Sequence, residues 1–185
     1  MEGKVRVAIV GTSGSGKSTF AGRLSTRLGV PHIELDAINW RPGWRALSQD
    51  DPPAFRAEVA AAVVAPAWTC DGNYSVAQPL VLARATHLVW LDYPRALIMR
   101  RVLRRSLTRA LSRRELWAGS GNREEFRRWL DRDHPIRWAW DTFEARRARY
   151  QALFKELKPS GKILVRLTRP RQAEVLIAAL AAGGL

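Results

Sequence analysis

The chain has 185 residues, enough for one compact domain with a real core and too few for two full ones. Its 31 lysines and arginines against 17 acids give a net charge of +14, which favours polyanionic partners such as nucleotide phosphates, nucleic acid or an anionic surface. A single cysteine, Cys70, excludes an internal disulfide; with no apolar run of roughly 18 residues and no leader-like start, the expectation is a soluble, cytoplasmic protein.

In chain order, Val5 to Val10 reads as a buried strand, and GTSGSGKST, residues 11–19, follows it directly. Gly11, Gly16, Lys17 and Ser18 fit the P-loop spacing, and the strand before and the helix after, Lys17 to Leu28, supply the context that this motif requires. Gly11, Gly14 and Gly16 allow successive amides to turn toward phosphate oxygens, while the helix start adds its positive dipole end. Ser13 and Ser15 belong to the same phosphate-binding loop. Lys17 would reach the β and γ phosphates, Ser18 would offer its hydroxyl to Mg²⁺, and Thr19 would make a further phosphate contact.

A second strand, His32 to Asp36, puts Asp36 at the carboxyl edge of the sheet, where open α/β sheets bind ligands. There it can assist the metal or receive a proton from an acceptor hydroxyl; the alternative is a cap for the next helix. Trp40 and Trp44 are either an aromatic wall for the acceptor or packing for a lid. After a helix from Pro53 to Val64, the strand Trp68 to Asp71 ends in Asp71-Gly72-Asn73-Tyr74. Asp71 can hold Mg²⁺ through water, Gly72 turns the chain, and Asn73 and Tyr74 would face the cleft; Asp-Gly is also a common turn pair. The strand His87 to Asp92, a helix Arg95 to Leu111, helices near 123–130 and 138–157, a strand Ile163 to Leu167 and a helix Arg171 to Ala182 complete the chain, with Gly183-Gly184 as the stop.

Strands interleaved with helices imply parallel pairing through right-handed crossovers, hence a three-layer α/β domain spanning 1–185. An acceptor-binding segment is expected at about 37–65 and a helical lid at about 106–137. The charge is regional: between Arg95 and Arg149 there are sixteen arginines, no lysine and seven acids, a net +9. Guanidinium forks fit phosphate oxygens bidentately, although a solvated helical face would explain most of them. The P-loop alone does not choose among GTPases, ATPases and small-molecule kinases. No Asn-Lys-x-Asp guanine-reading motif is present, and the third strand lacks the longer apolar run usual before a motor ATPase's acid.

Taken with the P-loop, "LDAINWRPGW", "CDGNYS" and "WLDYPRALIMRRVLRR" resemble the nucleoside-monophosphate-kinase-like P-loop enzymes. Within them the chain is similar to the adenylate kinase-related proteins known as DNA topology modulation proteins; "RRELWAGSGNREEF" and "DHPIRWAWDTFEARRARY" extend the likeness over nearly the whole length. The resemblance implies the P-loop NTPase fold, with a five-stranded parallel sheet of order 2-3-1-4-5 and an arginine-bearing lid after the fourth strand. It places Arg101 against the adenine of ATP and Arg105 at the transferring phosphate; their i, i+4 spacing puts both on one helical face. Arg100 and Arg104 form the neighbouring stripe, and Arg169 and Pro170 match the loop along the adenine. Adenylate kinases carry Asp-Gly-Phe-Pro-Arg after the third strand; Asn73-Tyr74-Ser75 stands here instead, which points away from AMP as acceptor.

The expectation is an ATP- and Mg²⁺-dependent phosphotransferase for a small nucleotide- or nucleoside-like acceptor, with Lys17, Asp36, Asp71, Arg101 and Arg105 as its catalytic set. The competing class is a nucleotide-regulated nucleic-acid binder, in which the basic region follows a phosphate backbone and Trp117, Trp129, Trp138 and Trp140 stack on bases.

Overall fold

The computed structural model describes residues 5–112, 115–117, 120–123 and 134–183. Five parallel strands form the central sheet: β1 (Arg6–Gly11), β2 (His32–Glu34), β5 (Trp68–Asp71), β6 (His87–Leu91) and β7 (Ile163–Leu167), in the spatial order β2-β5-β1-β6-β7. Two short antiparallel strands, β3 (Trp40–Arg41) and β4 (Arg45–Ala46), make a separate hairpin. Counting only the sheet strands, the order is the expected 2-3-1-4-5. β1 lies in the centre, paired with β5 on one side and β6 on the other, so the loop after Gly11 emerges at the carboxyl edge between its neighbours.

The period-2 alternation of a strand divides the core in two. Val7 and Ile9 of β1, with Val89 and Leu91 of β6, pack against α1 (Lys17–Leu28), α6 (Arg95–Ser112), α7 (Pro135–Asp141) and α9 (Pro170–Ala181). Ala8, Val10, Leu88 and Trp90 face the other way, toward α4 (Pro52–Ala62), α5 (Gln78–Arg84) and α8 (Phe143–Leu157). The result is a sheet covered on both faces, as a parallel sheet requires. Two short helices, α2 (Leu35–Asn39) and α3 (Leu47–Asp50), flank the hairpin.

Several expected boundaries are corrected. β2 stops at Glu34, and Leu35–Asn39 is helical, so Asp36 lies in the first turn of α2 and not at a strand end. α5 is hidden in the sequence by its Pro79, which its first turn accommodates because the missing N–H has no partner to lose there. The helix expected over 138–157 breaks at Thr142, whose hydroxyl donates back to the Trp138 carbonyl at 2.6 Å and separates α7 from α8. The helix expected near 123–130, with Trp129, and the stop at Gly184 lie outside the described residues, apart from Arg123, which forms an isolated antiparallel bridge with Glu115.

Candidate active site

At the carboxyl edge of the sheet, the β1–α1 loop, α2, the β3–β4 hairpin, α6 and the start of α9 enclose a cavity of about 650 Å³. Residues 13–19 of the loop form one wall. Gly14 and Gly16 adopt positive φ of 81° and 93°, and a Cβ at Gly14 would lie 2.1 Å from Val102 Cγ2, so the loop can approach α6 only as glycine. Ser15 Oγ is buried with no protein partner, an orphaned donor and acceptor inside the loop that a phosphate oxygen would satisfy. Gly11 sits behind this wall at the end of β1.

Lys17 Nζ donates to the Thr12 carbonyl at 3.2 Å. Desolvation lowers its pKa to about 8, against the pull of Asp71 and Asp36 and with the push of Arg146 and Arg105. Ser18 Oγ donates to Asp71 Oδ2 at 2.7 Å, and the other Asp71 oxygen meets His32 Nε2 at 2.7 Å. Asp71 is 2% exposed. It therefore stands behind Ser18, outside the cavity lining, with both oxygens already engaged. The pKa of His32 is raised, chiefly by its hydrogen bond to Asp71. Such a pair suits a hard cation held by the Ser18 hydroxyl and phosphate oxygens, with Asp71 acting through that hydroxyl or through water. The hydroxyl at the loop's helix start and the buried carboxylate behind it thus fit Mg²⁺.

Successive turns of α6 bring Arg101, Arg105 and Arg109 to the cavity, while Arg100 and Arg104 point to solvent. Arg101 donates to the Ser15 carbonyl at 2.9 Å and lies 5.2 Å over the Tyr93 ring, which also lines the cavity. Arg109 was not singled out from the sequence, although it continues the same i, i+4 stripe. Arg23 of α1 and Glu174 of α9 pair across the outer rim near Pro170. Arg169 is exposed and does not line the cavity: its backbone forms the N-cap of α9, where its N–H donates to Gln172 Oε1 at 2.9 Å.

A second part of the lining is built by Glu34, Asp36, Trp40, Trp44 and Trp117. Trp40 and Trp117 stack at 6.2 Å and 21°, and Trp44 meets both edge-on. Trp44 has a φ of 62°, the one positive value among the described non-glycine residues. A bulky side chain there is strained by about 1–3 kcal/mol. Asn122 holds it, accepting from the Trp44 N–H and donating to the Arg41 carbonyl, both at 3.0 Å. That clip ties Asn122 to the connection between the two strands of the hairpin that carries Trp40 and Trp44. Of Trp117, Asn122 and Glu34 only Trp117 was singled out from the sequence, as a base-stacking candidate; Glu34 and Asn122 stand 88 positions apart, and no local signal joins them.

Asp36 Oδ1 accepts from the Tyr74 hydroxyl at 2.6 Å, so Asp36 is held from behind and does not serve as the cap of α2, whose N-cap is Glu34. Gly72, Asn73 and Tyr74 do not line this cavity, in contrast to the expectation; they line a small void on the other side of the sheet edge. The reason is local. Gly72, at a φ of 140°, packs so closely on Leu35 that a Cβ would lie 2.5 Å from it, and the Asn73 amide is spent on the Gly11 carbonyl and the Tyr150 hydroxyl, each at 2.7 Å. Asn73 fixes the exit of β1.

No family model matches the sequence, and neither does any curated protein. Among solved structures, the chain is similar to a shikimate kinase from Acinetobacter baumannii in complex with shikimate, at 15% identity over 97% of this chain and 94% of that one, with a TM-score of 0.56. It is also similar to a shikimate kinase from Bacteroides thetaiotaomicron (14% identity, 96% and 97% covered, TM-score 0.51) and to a gluconokinase from Sinorhizobium meliloti 1021 (17% identity, 99% and 97% covered, TM-score 0.51). At such identities the likeness establishes the fold, a five-stranded parallel sheet with helices around it and a P-loop after its central strand.

Proposed function

We propose that the protein is an ATP- and Mg²⁺-dependent phosphotransferase acting on a small acceptor. The observation that carries this reading is convergence: Lys17, Ser18 and three arginines of α6 meet Asp36 and an aromatic wall in one cavity. Ser13, Gly14, Ser15, Gly16 and Thr19 would cradle the phosphates, and Arg101 with Tyr93 would take the base, beside Pro170. Bound Mg²⁺ would neutralise phosphate charge and orient the γ-phosphoryl group. Lys17 and Arg105 would hold charge against that group's oxygens, and Asp36 would orient the acceptor hydroxyl and take its proton. The similar folds of shikimate kinase and gluconokinase agree with transfer to a hydroxyl, and the motif likeness to the adenylate kinase-related group belongs to the same reading.

The nucleic-acid reading gains no specific support. Trp117 belongs to the cavity wall, and Trp138 and Trp140 already have arginines over their rings, Arg146 at 5.4 Å and Arg95 at 3.8 Å. Phosphorus NMR of Mg²⁺-ATP with the protein, against a panel of nucleosides, nucleotides, sugars, amino alcohols and hydroxy acids, tests the proposal. A new phosphate-ester resonance with one of them, absent for Lys17→Ala, is expected; folded protein inert toward the whole panel overturns it.

A further inference from the structure

The cavity is divided by charge. Lys17, Arg101, Arg105 and Arg109 come from α1 and α6, on the loop side. The part of the lining from α2, the hairpin and Trp117 holds two carboxylates, Glu34 and Asp36, among three tryptophans. Neither carboxylate has an ion-pair partner among the described residues: Asp36 is met by a neutral phenol, Tyr74. Burial, and after it the Asp71 and Asp36 carboxylates, raises the pKa of Glu34, against a hydrogen bond from the Trp117 indole and the nearby His32. In a chain of net charge +14, this wall sets two carboxylates among tryptophans, with Lys17 the cation that acts on Asp36.

An anionic acceptor would be repelled beside these carboxylates, and a neutral polyol would leave Glu34 without an ion-pair partner among the described residues. An indole face attracts a cation, tryptophan most strongly of the aromatic side chains, and a carboxylate beside it adds a charge-assisted contact. Trp44 is kept in a strained backbone conformation by Asn122, which is the kind of cost retained where a ring must be aimed.

Resting on the phosphotransferase reading, we propose that the acceptor is a cationic alcohol, an amino alcohol or amino sugar whose nitrogen is held by Glu34 and the Trp40–Trp44–Trp117 wall. Asp36, fixed through Oδ1 by Tyr74, keeps Oδ2 for the hydroxyl. In the transfer, the acceptor oxygen forms a bond to the γ-phosphorus of the nucleoside triphosphate as the bond from that phosphorus to the β–γ bridging oxygen breaks. The bridging oxygen leaves with the electron pair on the diphosphate, and the hydroxyl proton passes to Asp36.

The test uses two matched pairs that differ in charge and little in shape: glucosamine against glucose, and choline against 3,3-dimethylbutanol. Tryptophan fluorescence reads binding without nucleotide, and phosphorus NMR reads transfer. In at least one pair the cation should bind at least about tenfold more tightly than its neutral partner, a ratio of the size expected for a desolvated cation–π contact with a carboxylate. Glu34→Gln should remove most of that ratio. Trp117→Phe, which keeps a ring and is gentler on folding, should reduce it several-fold; melting curves show that each variant is folded. Equal or tighter binding of the neutral member in both pairs, or no saturable response to any of the four, overturns the cation site. Cation-selective binding with no phosphate transfer to any alcohol keeps the site and overturns the kinase reading. Transfer to a neutral or anionic alcohol in preference to every cation keeps the kinase and overturns the site.

Discussion

Lys17 is placed for a ligand at a cost to the ligand-free protein. Burial lowers its pKa from 10.5 to about 8 although Asp71 and Asp36 both favour the charged form. At about 1.4 kcal/mol per pKa unit, holding the ammonium charged at neutral pH costs the folded state about 3 kcal/mol. Replacing it by methionine removes that cost but also the hydrogen bond to the Thr12 carbonyl, worth about 1 kcal/mol. Lys17→Met should therefore stabilise the free protein by about 2 kcal/mol, a rise of roughly 4–8 °C in Tm for a chain of this size.

The pH dependence has a definite direction. Between about 8 and 10.5 the unfolded chain keeps a proton on Lys17 that the folded chain has lost. The penalty is thus full below about pH 8 and is recovered as the pH rises toward 10.5, so the advantage of Lys17→Met should shrink across that window. Taking the difference between parent and variant cancels the falling net charge that both share. Mg²⁺-ATP reverses the order: at about 100 times Kd it should stabilise the parent by about 2.7 kcal/mol and the variant far less. Paired thermal melts across this pH range, with and without nucleotide, supply the measurement. A variant that melts at or below the parent at neutral pH, or whose advantage does not change with pH, would refute the desolvation argument.

Replacing Arg101 and Arg105 together should lower phosphotransfer by at least 100-fold, while the exposed pair Arg100 and Arg104 should change it little, both read as kcat/KM. Arg146 and Arg147 are unsuitable controls, since Arg146 acts on Lys17 and Arg147 is tied to the buried Asp92 at 3.0 Å. Asp71→Asn leaves Ser18 and His32 without their shared anion and should raise the Mg²⁺ concentration for half-maximal activity about tenfold, seen in a metal titration at fixed ATP. Asn122→Ala removes both bonds of the clip on the hairpin and should raise the acceptor KM more than the ATP KM, a split that steady-state kinetics resolves.

The donor half was legible because its determinants are local. Glycine spacing, the Lys-Ser pair and the i, i+4 arginines each act within one or two turns of chain, and the structure brings them to one cavity. Arg109 follows from the same period carried one turn further. The acceptor half was legible only in fragments because its contacts are not local: Asn122 meets Trp44 and Arg41 across 78 and 81 positions. Asn73 shows the opposite failure. Its polarity and its place after a strand end suggested the cleft, but a buried carbonyl at Gly11 and a buried phenol at Tyr150 needed partners, and one amide satisfies both.

Asp36 and Tyr74 show how the two levels combine. Read singly, each was a group facing the acceptor, and Asp36 had a second reading as a helix cap. The 2.6 Å hydrogen bond between them assigns different tasks to the two residues. Burial and the nearby Asp36 and Glu34 carboxylates push the Tyr74 phenol well above its ordinary range, so it stays protonated and can only donate to Asp36 at any working pH. A donor fixed in that way occupies Oδ1 and sets the plane of the carboxylate, and Oδ2 has no hydrogen bond to another described residue. On the proposed phosphotransferase reading Tyr74 is a positioning residue: Tyr74→Phe should leave the acceptor able to bind but lower kcat, as the freed carboxylate rotates, and the loss should appear in kcat far more than in KM. Equal kcat for parent and Tyr74→Phe would mean that Asp36 needs no such support and that its role in taking the acceptor proton rests on the wrong geometry.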